Sequence, residues 1–317
     1  MNTKILVSII IPTYNQHDLL LKCIESINNQ SYNLYELIII NNGSTETNTN
    51  KISKNKNIKI LQINFNKNYG FAKACNEGIK RAKGDLIALI NNDVILDRNW
   101  LANLIKASNK YSKVSGFATK ILKFNNPNII ESAGDKITRK GIIKHIGDGE
   151  NSKLFFKEKE IYLIPAAACM FRKTFFKQVG LFDEKFGSYF EDVDISLRGQ
   201  LLGEKYMYIP TALSMHLGKS TSKNMIRSGY YQIRNSIIIW IKNIPQQIII
   251  KEKTWFYLLK NYLILIIQNF SIMKSINMLK ALIYIFFNLI FILNQRKENM
   301  RNIKVKYRYI ESIFSND

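Results

Sequence analysis

The chain opens on a short apolar run, Ile5 to Ile11, that passes into the polar Thr13-Tyr14-Asn15. Such a run, β-branched at most positions, predicts a strand buried on both faces of a parallel sheet. From Gln16 to Asn29 the period changes to about 3.6 residues. Leu19, Leu20, Cys23, Ile24 and Ile27 then share one face and predict an amphipathic helix. The alternation repeats. Strands are predicted at Leu37–Ile40, Ile58–Ile63 and Asp85–Ile90, and helices at Phe71–Ala82 and from about Asn99. This order predicts an α/β fold, a doubly wound and mostly parallel central sheet with right-handed crossovers. Ligands of such sheets bind at the carboxyl ends of the strands. Tyr14-Asn15, Asn41-Asn42 and Asn91-Asn92-Asp93 all fall at such ends, which favours a site over three unrelated turns.

Beyond Ser112 the pattern weakens. Glycines at 134, 141, 147 and 149 interrupt it, and an extended β-rich excursion to Leu163 is expected. "EDVDISLRGQLLG" predicts a helix with Glu191, Asp192 and Asp194 in its first turn, where the helix dipole favours acids, and an end at Gly203. "KYMYIPTALSMH" reads as two short strands broken by Pro210. The tail, Asn224 to Leu293, is expected to be helical. Its two apolar stretches, 255–270 and 278–293, are interrupted by Lys260, Asn261, Lys280 and Asn288. A spanning helix wants about 20 mostly apolar residues. These stretches fall near or below that, so helices lying on a membrane surface, or packed on the domain or a second copy, are expected ahead of spanning ones.

Charge sharpens this picture. The net charge is +22, from 46 basic and 24 acidic residues, and the chain from Leu217 onward holds 16 Lys/Arg against 4 Asp/Glu. A basic, apolar tail predicts an anionic membrane surface as partner. Nucleic acid is not expected, because no recognised binding module appears and the basic residues are interleaved with long Ile/Leu stretches. The three cysteines are odd in number and widely spaced, so neither a metal cluster nor a disulfide framework is predicted. The first residues lack the pattern of a signal peptide. "IPTYNQHD" has neither the glycines nor the basic residue of a triphosphate-binding loop, which argues against a nucleotidyltransferase.

Six segments together resemble the family 2 glycosyltransferases of GT-A fold, particularly the rhamnosyltransferase-like members that build bacterial surface polysaccharides such as O-antigen. They are "VSIIIPTYN", "IIINNGSTE", "NKNYGFAKACNEGI", "GDLIALINNDV", "GLFDEKFGSYFEDVDISLR" and "YIPTALSMH", in that order from Val7 to His216. The resemblance implies a GT-A domain over 1–220, with a nucleotide-binding half (1–110) and an acceptor-binding half (111–220). A basic amphipathic helical extension over 221–317 would associate with membrane or form a homodimer.

The resemblance also implies roles. Asp93 occupies the last position of the family's D-x-D-type metal motif, with Asn91 at the first. His216 stands where some relatives place a further ligand. Mg²⁺ or Mn²⁺ is implied, and imidazole suits Mn²⁺ better. Thr13, Tyr14, Asn15, Asn41, Asn68, Gly70, Asn76 and Asn92 would contact the donor nucleotide. Asn41 replaces a commoner Asp but still offers a donor and an acceptor to a base. Asp192 would be the general base. Ala166, Ala167, Glu191 and Trp100 would border the acceptor, although Trp100 also reads as a helix anchor. The implied activity is inverting, metal-dependent transfer of a sugar from dTDP-rhamnose or a UDP-sugar to a lipid-linked oligosaccharide or polysaccharide, in the cytoplasm at the inner membrane face. The alternative is a non-catalytic scaffold that binds nucleotide or lipid.

Overall fold

The computed structural model describes residues 5–45, 58–218, 225–253, 256, 260 and 272–315. Strands β1 (Val7–Thr13), β2 (Tyr35–Asn41), β3 (Lys59–Asn64) and β4 (Leu86–Ile90) lie parallel in the spatial order β4-β1-β2-β3. Every residue of β1, β2 and β4 is buried, as their largely apolar runs predict. Helix α1 (His17–Asn28) buries Leu20, Cys23, Ile24 and Ile27. Helix α2 (Phe71–Arg81) covers the other face of the sheet. Its Gly78 permits that contact, since a Cβ there would stand 2.4 Å from Ile10 Cγ2.

The chain then continues through β5 (Val94–Leu96) and α3 (Trp100–Lys110) into the expected β-rich excursion. This comprises β6 (Gly116–Lys123), β7 (Asn126–Ser132), β8 (Asp135–Thr138), β9 (Ile143–His145) and β10 (Lys159–Ile161). Strand β11 (Ala168–Arg172) runs antiparallel between β4 and β6 and joins β6, β7 and β10 to the parallel half in one ten-stranded sheet, while β8 and β9 belong to a separate three-stranded sheet. Helices α4 (Lys173–Val179) and α5 (Glu191–Leu201) follow. The segment around Pro210 is not two strands. It is one strand, β12 (Tyr206–His216), whose register with β6 shifts between Ile209 and Leu213. Proline has no N–H for the ladder, and a bulge absorbs that loss without ending the strand.

The C-terminal part contributes α6 (Met225–Asn243), α7 (Gln246–Lys251), α8 (Ile272–Arg301), α9 (Tyr307–Ser312) and β13 (Phe314–Ser315). Strand β13 pairs with β8, and α6 lies along α8. A third core joins Phe186, Val193 and Leu197 to Ile239, Trp240, Ile285 and Ile310. Helix α8 is longer than its apolar stretch suggested. An 18-residue window within Ser275–Arg301 has a mean hydropathy of 2.1, and by length and composition this helix alone among the described residues could cross a membrane. It buries Met278, Ala281, Ile285 and Ile292, while Phe286, Phe287 and Ile290 are 74–80% exposed. The other apolar stretch, 255–270, lies outside the described residues except for 256 and 260.

Candidate active site

The carboxyl ends of β1 and β4, the start of α5 and the end of β12 open on one cleft of about 950 Å³. At one end, short polar side chains hold the strand ends together. Asn92 Nδ2 donates to Thr13 Oγ1 (3.2 Å) and to Gln16 Oε1 (3.0 Å). Asn42 Nδ2 donates to Asn68 Oδ1 (3.1 Å) and to Gly70 O (3.1 Å), and Asn42 Oδ1 accepts from Tyr69 N (2.9 Å). Each asparagine supplies donor and acceptor at once, so neighbouring loops are fixed without a charge. Tyr14, 44% exposed, leaves a ring face free at this end of the cleft.

In the middle, the turn after β4 presents Asp93. Its Oδ1 lies 3.2 Å from His216 Nε2, and both side chains are largely buried. Two ligands about 2.1 Å from one ion stand about 3 Å apart on an octahedron's edge. The pair is a hydrogen-bonded ion pair here, and the same spacing would admit a divalent cation in place of the proton between them. His216 Nδ1 lies 2.6 Å from Glu131 Oε1, the outer carboxylate–histidine contact that orients a metal-ligating imidazole. Burial would lower the His216 pKa, but hydrogen bonds with Asp93 and Glu131 outweigh it and raise it to about 10. Asn91 Oδ1 is buried without a hydrogen-bond donor, which suits an oxygen ligand. Among the described residues no group of three or more His, Cys, Asp and Glu could hold an ion alone. Diphosphate oxygens and water would complete the coordination shell.

At the far end, α5 begins with two carboxylates. Asp192 accepts from Ala166 N (3.0 Å) at Oδ2 and from Val193 N (2.9 Å) at Oδ1. Burial, reinforced by Asp135, pushes its pKa up to about 6 despite these two donors. Glu191 is more strongly affected: burial and then Asp192 raise it well above the usual carboxylate range, and its Oε2 has no donor. Of the two, Glu191 is thus the more strongly biased toward its protonated form, and Asp192 is a carboxylate of raised basicity. Ala167 O accepts from Asn91 N (2.8 Å), so the Ala166-Ala167 backbone ties Asp192 to the turn that carries Asp93.

The loop before α5 is strained. Tyr189 (φ 69°) and Phe190 (φ 66°) are both left-handed, a conformation that non-glycine residues adopt only when their surroundings enforce it. Asn235 of α6, fully buried, enforces it by donating to Phe186 O (3.1 Å), Ser188 O (3.0 Å) and Tyr189 O (2.6 Å). The tail thereby fixes the approach to Asp192.

Of the expected residues, Thr13, Tyr14, Asn68, Asn91, Asn92, Asp93, Ala166, Ala167, Glu191, Asp192 and His216 line the cleft. Others do not. Trp100 is fully buried in the core beneath α3 and cannot stack on an acceptor. Asn76 is turned toward a loop instead: it donates to Phe182 O (2.9 Å) and Glu184 Oε1 (3.1 Å) and accepts from Phe182 N (3.0 Å). Asn41 spends both ends of its amide on Ser44 N and Asn64 Oδ1. Asn15 accepts from Thr45 N, outside the cleft lining. Gly70 (φ 91°) lets its backbone approach Gly187, whose carbonyl a Cβ would meet at 2.6 Å. The sequence reading missed Gln16, Asn42, Glu131, Asp135, His145 and Gln232, all at the cleft. Asn42 adjoined the chosen Asn41, and only alternation along the strand could have separated them. The other five gave no local signal.

Residues 8–180, over half of the 317-residue chain, match the family model described as glycosyl transferase family 2. The chain belongs to that family. Among curated proteins it is 40% identical over 100 residues to an uncharacterized glycosyltransferase of Rickettsia bellii, covering 32% of this chain and 14% of that protein. It is 26% identical over 218 residues to glycosyltransferase GlyA of Streptococcus pneumoniae, covering 65% and 30%. With the O-antigen biosynthesis protein RfbC of Myxococcus xanthus it shares 26% over 202 residues, covering 61% and 16%. The matches thus span less than a third of each of these three relatives. In fold the chain is similar to a mannosyltransferase of Pyrobaculum calidifontis solved with GDP-Man and Mn²⁺, with a TM-score of 0.56, 13% identity, and coverage of 93% and 85%. It is also similar to GalNAc-T7 solved with UDP, GalNAc and Mn²⁺, with a TM-score of 0.59, 16% identity, and coverage of 76% and 48%. The fold is GT-A, and the domain is a glycosyltransferase domain.

Proposed function

We propose that this protein is an inverting, metal-dependent glycosyltransferase that moves a sugar from a nucleoside-diphosphate donor to a hydroxyl of a lipid-linked glycan. One observation carries this reading: a carboxylate of raised basicity, Asp192, shares a cleft with the cation-spaced pair Asp93 and His216. Thr13, Tyr14, Asn42, Asn68 and Asn92 would seat the nucleotide. Asp93 and His216 would hold Mg²⁺ or Mn²⁺, which would offset the charge gathering on the departing diphosphate. Asp192 would take the proton of the acceptor hydroxyl as its oxygen bonds to the anomeric carbon and the bond from that carbon to the diphosphate breaks. Direct displacement by one base, with no covalent sugar–enzyme step, inverts the anomeric centre. Glu191, its pKa raised by burial and by Asp192, would hydrogen-bond the acceptor in its protonated form. The donor is proposed to be dTDP-rhamnose or a UDP-sugar, in keeping with the O-antigen relative.

The place of action is proposed as the cytoplasmic membrane face. The exposed Phe286, Phe287 and Ile290 would enter the lipid interface. The basic residues of the tail would meet anionic headgroups, each worth about 1 kcal/mol near the surface. The division at about residue 220 and a homodimer through the C-terminal helices remain proposals of the same reading. Incubation with nucleotide sugars and a lipid-linked acceptor, followed by NMR of the product's anomeric centre, tests the reaction. Inversion is expected. A product that retains the donor's configuration would refute direct displacement, and nucleotide binding without any product would favour the scaffold.

A further inference from the structure

Strands β8 and β9 form a hairpin at the cleft, and its charges are unusual. Their register sets Asp135 opposite His145 and Lys136 opposite Lys144. Like charges directly opposite on neighbouring strands destabilise the pair. Among the described residues neither lysine forms an ion pair. Of the acids lining the cleft, Glu131 is taken by His216 and Asp148 by Lys123, while the exposed Glu150 forms no ion pair with either lysine among the described residues. His145 is held differently. Its Nδ1 lies 2.6 Å from Oδ1 of the buried Asp135, while the ring itself is 45% exposed. That contact spends Nδ1 and leaves Nε2 for a ligand. Asp135 and His145 are also near enough to Asp192 to act on its charge. Lys136, Lys144 and His145 all line the wall of the cleft that holds Asp192.

A neutral sugar would give this wall nothing to neutralise. The donor's diphosphate would be met instead by the cation that Asp93 and His216 are proposed to hold. We infer that Lys136, Lys144 and His145 form an anion subsite for the acceptor, taking a phosphate or carboxylate group close to the hydroxyl that is glycosylated. The inference rests on the transferase reading and narrows it: acceptors carry an oxyanion beside the accepting sugar. Two sources share that chemistry, the phosphate that links a glycan to its lipid and the carboxylate of an acidic sugar.

The test is calorimetric binding to the full chain, in EDTA so that the cation site does not compete for anions. The probes are methyl glucoside, glucose 1-phosphate and methyl glucuronide. Wild type is expected to bind an anionic probe about tenfold more tightly than the neutral one, the factor that one charged hydrogen bond supplies. Lys136→Gln/Lys144→Gln and, separately, His145→Gln should each remove most of that preference. Lys80→Gln/Lys113→Gln, an equal charge change outside the cleft, should leave it intact. A preference for the phosphate would identify the lipid linkage, and one for the glucuronide an acidic glycan. Equal or undetectable binding of all three probes by wild type, or a preference that survives both cleft variants, would overturn the inference. Nucleoside diphosphate binding with Mn²⁺ in the same preparations reports on the transferase reading separately, so either can fail without the other.

Discussion

Asp192 and Asp194 lie two residues apart on the first turn of α5, the first half-buried and the second fully buried, and they face opposite environments. Asp192 looks into the cleft, where burial and Asp135 raise its pKa to about 6. Asp194 looks into the interior. Burial would raise it too, but Lys242 and Arg198 outweigh that and hold it below the ordinary range. Arg198 Nε donates to Asp194 Oδ2 (2.9 Å), Asn243 Nδ2 donates to Oδ1 (2.8 Å), and Lys242 Nζ lies 3.0 Å from Oδ1. Basicity is thus kept on the cleft side, where a reaction can use it, and neutralised on the side where it would only cost stability. Two of these three partners come from α6, so the tail completes the environment of α5.

The comparison can be broken most sharply at Asp192. Asp192→Asn keeps the shape and removes the base, and transfer should fall about 10²- to 10⁴-fold. Nucleotide affinity should stay within about twofold of wild type, because the base does not hold the nucleotide. The matching change underneath, Asp194→Asn, should act on stability. It takes from Arg198 its carboxylate and from Lys242 one of two, Asp183 remaining at 2.7 Å, and losing such charged hydrogen bonds should cost roughly 1.5–3 kcal/mol. Chemical denaturation reads that loss directly. If Asp194→Asn instead abolished transfer in a fully stable protein, the division of labour between the two acids would be wrong.

The pH profile sharpens the same contrast. A base with its pKa raised to about 6 is protonated and idle below that value and ionised above it. The transfer rate should therefore climb as pH rises through about 6 and then level off. Asp135→Asn removes one of the influences that raise Asp192, so the midpoint should move down. A midpoint that stays with wild type would point to another titrating group, with Glu191 and His145 the nearest to examine.

The smallest predicted effect concerns Asn76. Asn76→Ala leaves Phe182 N and O without their buried partner and should cost about 1–3 kcal/mol of stability. Affinity for nucleotide should be unchanged. A large loss of nucleotide affinity in a stable variant would restore the contact that the sequence suggested.

How far each residue was legible follows from how local its signal is. Strands β1, β2 and β4 carry apolar runs interrupted only by Ser8 and Glu36, so their existence and their polar ends could be read from the pattern, with Asn91-Asn92-Asp93 at the right place. Asn76 and Trp100 lie on correctly predicted helices. Periodicity gives a helix but not which neighbour its polar face meets, and the loop at Phe182 is 106 residues from Asn76. Glu131, Asp135 and His145 come from the β7–β9 excursion, where alternation is weak and long-range pairing places the strands. Asn235 is one asparagine among many, and its clamp on the loop before Asp192 spans 46–49 residues of sequence.

The central claim is that Asp93 and His216 present a cation to a nucleoside diphosphate within reach of Asp192. Calorimetric titration with UDP, dTDP and GDP, each with Mn²⁺, with Mg²⁺ and with EDTA, tests it most directly in wild type and Asp93→Ala. The account predicts that at least one of these nucleotides binds only when the cation is present, and that Asp93→Ala loses this binding while keeping its fold. Binding that is equally tight in EDTA, or unchanged in Asp93→Ala, would contradict it.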